Sequence, residues 1–158
     1  MAQPVRFGIV GCGIIAPVHA DAISLNPDVA TLTACCDELA DRASAFASDR
    51  QGVTAFPGLE SMLESGSVDA ICICTPSGLH ADAVEAAAWK GIHSLVEKPL
   101  DVNSAGLERI VRAADHSVAA IASARTTAIE TRTTVSAAMP PVISPSVTRS
   151  VSPAASAS

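Results

Sequence analysis

The residues best suited to chemistry begin where GIVGCGIIAPVHA (8–20) joins an apolar run to a helix-like one. Gly11, Gly13 and Ala16 make a G-x-G-x-x-A pattern. In such a turn the first glycine lets the chain bend sharply after a strand. The second leaves room for a pyrophosphate against the backbone, and a small third residue lets helix and strand pack closely. The phosphates then rest on N–H groups and on the positive dipole end of the helix, here at Ile14 and Ile15. A strand that must simply turn tightly into a helix can show the same glycines, so a second group has to decide. Asp37 closes the next apolar run, VATLTACC. A carboxylate at that point accepts hydrogen bonds from ribose hydroxyls and repels a 2′-phosphate, which favours NAD over NADP. The spacing is somewhat longer than the usual ~20 residues, as a first helix one turn longer would give. Asp37 could instead cap the following helix. Adenosylmethionine methyltransferases also place an acid after strand two, and Gly11 and Asp37 alone do not separate the two classes.

These groups need strands that end beside one another. VRFGIV (5–10) and 29–36 are β-branched or apolar runs, 53–55 is a brief strand, 69–75 (DAICICT) is the most apolar, and 93–96 is the fifth. Between them lie stretches of helical length and composition at 14–25, 37–50, 59–65 and 78–90, with another at 103–115. Pro17 falls in a first turn, where its missing N–H is tolerated, and Gly52 and Gly91 stand where helices stop. Asn103 or Ser104 would cap the last helix. Apolar strands alternating with helices predict an α/β fold, a doubly wound parallel sheet of Rossmann type with order 3-2-1-4-5. VAAIASA (118–124) is long enough for a sixth strand.

Composition narrows the classes further. Of 158 residues 49% are hydrophobic but only 3% aromatic, so the core must be built from Ala, Val, Ile and Leu. A net charge of −6 argues against a nucleic-acid or anionic-membrane partner. No signal core or bilayer-length apolar run is visible, and a soluble, cytoplasmic chain is expected. Cys12, Cys35, Cys36, Cys72 and Cys74 form no C-x-x-C pair, and most lie in apolar runs, where thiols behave as small buried hydrophobes. No metal site is expected.

Two further stretches stand at the carboxyl ends of strands, where doubly wound sheets bind ligands. TPSGLH (75–80) follows the fourth strand and EKPL (97–100) the fifth. With GCGIIAPVHA before them, they resemble the Gfo/Idh/MocA family of sugar and cyclitol oxidoreductases, over roughly residues 5–118. The resemblance implies that Gly11, Gly13, Ile14, Ile15 and Ala16 hold the pyrophosphate and Asp37 the adenosine ribose. Thr75 and Pro76 would line the groove, with His80 near its nicotinamide end. Glu97 would contact the nicotinamide side, and Lys98 would stand at the reacting carbon as the catalytic residue. Oxidising a secondary alcohol needs a hydride acceptor and a group that handles the hydroxyl proton. A free lysine near pKa ~10.4 is a poor base at neutral pH, and burial beside a cationic nicotinamide would lower it. His19, His93 and His116 read as structural or solvated, and Trp89 as packing.

The resemblance stops near Val118. Residues 1–122 are expected to form the dinucleotide-binding domain. Residues 123–158, rich in Ser, Thr, Ala and Pro, are expected to form a disordered tail. The family's second domain would supply the substrate pocket, the oligomer interface and a D-x-x-x-H motif. Asp101 and Asp115 are followed four residues later by Ala105 and Ala119. The tail has the composition of a GC-rich gene translated out of frame, so truncation or frameshift is expected. Two functions follow: an NAD-dependent dehydrogenase of a sugar, polyol or cyclitol, incomplete in this chain, or a catalytically silent nucleotide-binding fragment or interaction module, with no oligomerisation expected through the second domain.

Overall fold

The computed structural model describes residues 3–116 and 121–123. Six strands form one sheet: β1 (Val5–Val10), β2 (Ala30–Cys36), β3 (Thr54–Phe56), β4 (Ala70–Ile73), β5 (His93–Val96) and β6 (Ile121–Ser123). Their order is β3-β2-β1-β4-β5-β6, and every adjacent pair is parallel. The sixth strand extends the expected order at the β5 edge. Parallel neighbours require crossovers, supplied by α1 (Ala16–Ser24), α2 (Ala40–Ser48), α3 (Leu59–Glu64), α4 (His80–Trp89) and α5 (Ser104–His116). The expected tail beyond residue 123 lies outside the described residues.

Side chains alternate across the strands, and both faces are covered. Val10, Cys36, Ile71 and Ile73 pack with Met62 of α3, Val84 of α4 and Ile110 of α5. Phe7, Ile9, Cys35 and Cys72 pack on the other face with Ala16, Ala20 and Ile23 of α1 and Phe46 of α2. Period-two alternation with two buried faces explains why these strands are apolar throughout. On α4 the alanines face inward, whereas Trp89 is exposed.

Helix starts differ from the sequence expectation for local hydrogen-bonding reasons. α1 begins at Ala16 rather than residue 14, because Gly13 to Ile15 form a turn in which the Ala16 N–H donates to Gly13 O at 3.2 Å. α2 begins at Ala40 because Asp37 Oδ1 accepts the Leu39 N–H at 2.9 Å, closing an Asx turn in front of the helix. α4 begins at His80 after a 3₁₀ turn, Ser77–Leu79. For α5, Asn103 is the capping residue: its Oδ1 accepts the Gly106 N–H at 2.9 Å.

Several charged pairs sit on the periphery. At the amino edge of the sheet, Arg6 Nη2 and Asp69 Oδ1 lie 2.6 Å apart, and Asp69 Oδ2 accepts the Arg6 backbone N–H at 2.9 Å. Arg109 of α5 joins Asp82 and Glu85 of α4. Exposed pairs of this kind each contribute little, about 0–1 kcal/mol where measured. The burial of the two apolar faces carries the fold. Among the described residues no helix is long and apolar enough to cross a membrane, and no cluster of side chains suits a metal ion.

Candidate dinucleotide site

An open groove of about 1000 Å³ runs along the carboxyl ends of β1, β2 and β4. Gly11, Gly13, Ile14, Ile15, Asp37, Thr75 and Pro76 line it. Its floor is set where β1 ends. The Gly11 N–H donates to Cys36 O at 2.8 Å, and the Cys74 N–H donates to Val10 O at 2.8 Å. Between these two strands Gly11 takes φ +87°, and a Cβ there would lie 3.0 Å from both Cys74 C and Thr75 N. Only glycine satisfies both the dihedral and the contact.

Gly13 differs. It has no positive φ, and a Cβ added to it would meet nothing within 4 Å. The protein's own packing therefore does not call for glycine at this position; the free space opens at the mouth of α1. The helix has no side-chain cap and no acidic residue in its first turn. Its own first N–H groups are used, Ala16 to Gly13 O and Val18 to Ile15 O, and Pro17 has none, so the donors left to an anion are those of the preceding turn, Gly13, Ile14 and Ile15. Ala16 is fully buried against the sheet, as the small third position of the motif requires. Thr75 adds a further opening. Its Oγ1 is buried and has no hydrogen-bond partner among the described residues. Space at Gly13, uncapped N–H groups and an unpartnered hydroxyl together fit a phosphate-bearing dinucleotide.

Asp37 is buried, and its oxygens are each partly engaged. Oδ2 accepts the Cys12 N–H at 2.8 Å, and Oδ1 accepts the Leu39 N–H at 2.9 Å. The carboxylate therefore locks the glycine turn to the end of β2 and is not the N-cap of α2, a position held by Leu39. Arg42, half exposed on the groove wall, approaches both oxygens with Nη1 at 3.4 and 3.5 Å, long contacts for which a hydroxyl donor would compete. Sequence reasoning passed over Arg42; its place in the first turn of α2, five residues after the acid, was the available signal.

The EKPL segment stands apart from the groove wall. Glu97 continues the β5 ladder, its N–H donating to Ile73 O at 3.1 Å. Its side chain is buried, whereas Lys98 is exposed and its ammonium has no partner among the described residues. The resemblance puts His80 near the nicotinamide end of the groove. The ring is fully buried, with Nε2 2.8 Å from Thr75 O and Nδ1 3.1 Å from Leu100 O. It bridges the loops after β4 and β5 from beneath and presents no free nitrogen to a ligand. His19, expected to be structural or solvated, donates from Nε2 to Glu97 Oε1 at 2.7 Å. No short motif marks that pair, because its partners lie 78 residues apart.

The thiols near the groove are not poised as nucleophiles. Burial pushes Cys36 and Cys74 up to about 12, Cys74 with help from the Glu97 charge. Cys72 is raised for the same reasons. Such thiols stay protonated and inert.

The family profile described as an oxidoreductase family with an NAD-binding Rossmann fold (GFO_IDH_MocA) matches residues 5–124. An inositol 2-dehydrogenase of Corynebacterium glutamicum is 34% identical over 111 residues, which are 70% of this chain and 33% of that protein. A D-xylose 1-dehydrogenase (NADP(+)) of Haloferax volcanii is 41% identical over 99 residues, covering 62% of this chain and 30% of its own. Among solved structures, the WlbA dehydrogenase of Bordetella pertussis in complex with NADH and UDP-GlcNAcA superposes with a TM-score of 0.73 at 34% identity. That match covers 77% of this chain and 37% of the WlbA chain. The chain thus spans about a third of the length of the relatives it matches. On this evidence the chain belongs to the Gfo/Idh/MocA oxidoreductase family and carries its NAD-binding Rossmann domain.

Proposed function

We propose that this chain supplies the cofactor half of an NAD-dependent dehydrogenase acting on a secondary alcohol of a sugar, polyol or cyclitol. The observation that carries the reading is Gly13: a glycine without a packing or dihedral reason, at the open mouth of an uncapped helix. When bound, NAD supplies the hydride acceptor. The turn at Gly13, Ile14 and Ile15, backed by Ala16, binds the pyrophosphate through N–H groups, with Gly11 setting the bend. Asp37 accepts from the adenosine ribose and disfavours a 2′-phosphate, though Arg42 beside it softens that discrimination. Thr75 and Pro76 wall the groove, Thr75 Oγ1 offering a donor. Lys98, exposed past the end of β5, is the group that handles the substrate hydroxyl proton, with Glu97 fixing the backbone it leaves from. His80 serves this site by tying Thr75 to Leu100, not by touching the cofactor.

The dehydrogenase names of the relatives support the substrate class. Calorimetric titration of the full chain with NAD, NADP and adenosylmethionine tests the binding. NAD is expected to bind more tightly than NADP; binding of adenosylmethionine in preference to NAD would overturn the reading. Formation of reduced nicotinamide from NAD with myo-inositol or a nucleotide sugar tests turnover. A second reading, nucleotide binding without turnover, is favoured by one observation. Among the residues at this end of the groove, Lys98 is the single exposed group with acid–base capacity, as His19, His80 and Glu97 are engaged with one another or with backbone.

A further inference from the structure

The loop that carries Lys98 is held by two imidazoles that come from different parts of the fold. His80 reaches Leu100 O, just beyond Lys98. His19 reaches Glu97, just before it. The second contact has the more specific geometry. Glu97 presents one oxygen to each side: Oε1 accepts from His19 Nε2 at 2.7 Å, and Oε2 accepts the Lys98 backbone N–H at 3.1 Å. Both side chains of the pair are nearly buried, at 13% and 11% exposure. A carboxylate so placed is costly to leave without partners, so its orientation follows whichever donors it has. His19 rides on α1, the helix whose first turn closes the glycine motif. The His19–Glu97 bond therefore connects the helix behind the glycine turn to the residue just before the Lys98 peptide. β1 and α1 belong to the first half of the doubly wound sheet, and β5 to the second.

We infer that His19 is a positioning residue for the nicotinamide end of the groove. Through Glu97 it fixes the Lys98 peptide relative to the pyrophosphate turn. The inference rests on the dinucleotide reading given above. It makes a distinction that a purely structural histidine would not. Loss of His19 weakens the part of the cofactor that lies toward Lys98 and spares the adenosine, pyrophosphate and ribose portion.

Titrations of the full chain with NAD and with ADP-ribose, which lacks only the nicotinamide, read that distinction. His19→Ala is expected to lower NAD affinity about tenfold, the loss of one charge-assisted hydrogen bond, and to leave ADP-ribose within about twofold. His19→Gln, whose amide can donate to Oε1, is expected to restore most of the NAD affinity. In a Glu97→Gln background, His19→Ala should add little, because the residue acts through that carboxylate. Thermal melts of each variant accompany the titrations, and the Gln variant carries the test if the Ala variant does not fold. Equal losses for NAD and ADP-ribose, or unchanged NAD affinity in His19→Ala, would overturn the positioning role while leaving the dinucleotide site standing. Failure of the unaltered chain to bind ADP-ribose would overturn the site itself, and this inference with it.

Discussion

The glycine-turn end of the groove and the EKPL loop beyond its wall are built in different ways. At the phosphate end the geometry is made by backbone: a glycine at φ +87°, an N–H from Gly11 to Cys36 O, and an N–H from Cys12 to one carboxylate. At the EKPL end it is made by side chains that meet across the fold, His19 with Glu97 and His80 with Leu100 O. The first arrangement has no room for a side chain at Gly11 and needs few partners. The second depends on groups that are far apart in sequence and can be exchanged for others with similar donors. Under the proposed function, the rigid turn would serve the common part of the cofactor and the side-chain contacts would mount its reacting end.

That contrast can be broken at three places, in falling order of effect. Gly11→Ala puts a Cβ 3.0 Å from the Cys74 and Thr75 backbone in a left-handed conformation. Strain and overlap together should cost about 3 kcal/mol or more of stability, seen as a lower urea midpoint. Unchanged stability would mean the turn is not backbone-determined. Asp37→Asn keeps the shape but removes the charge from the acceptor of Cys12 and Leu39. A loss of about 1–2 kcal/mol is expected, with the preference for NAD over NADP narrowed about tenfold in paired titrations. A preference that does not move would assign discrimination to Arg42 alone.

The smallest effect lies away from both ends. Hydrogen bonds from Arg6 hold the Asp69 carboxyl below its usual value of 3.8. A depressed carboxylate stabilises the folded state above its unfolded value, and that contribution is lost as pH falls through the folded one. Wild-type stability should therefore decline in acid partly through this pair. Asp69→Asn should flatten that part of the acid limb without altering NAD affinity at neutral pH. Denaturation series between pH 2 and 7, chosen to span the carboxylate range of about 2 to 5, measure it. A steeper acid limb in the variant would reverse the assigned sign.

The phosphate end was legible because its determinants are local. Gly11, Gly13, Ala16 and Asp37 each act within a few residues of a strand end, and alternating apolar strands gave the sheet order. Helix starts were displaced by two or three residues because the turn at Gly13, the Asx turn at Asp37 and the 3₁₀ turn at Ser77 use hydrogen bonds that composition does not reveal. The burial of His80 was not legible for a related reason. TPSGLH puts it at a strand end, but whether a ring there points into a groove or under it depends on the Leu100 carbonyl, which belongs to another loop. His19 shows the same limit more sharply, since its partner is 78 residues away and no spacing rule connects them.

The central claim is that the open space at Gly13 exists for a dinucleotide. Calorimetric titration of NAD into the full chain and into its Gly13→Ala variant tests it most directly, with urea denaturation of both alongside. The account predicts stability within about 0.5 kcal/mol of wild type, since the new methyl meets nothing within 4 Å. It also predicts NAD affinity reduced at least about tenfold, because the methyl stands where the pyrophosphate approaches the backbone. Equal NAD affinity in both proteins would contradict it.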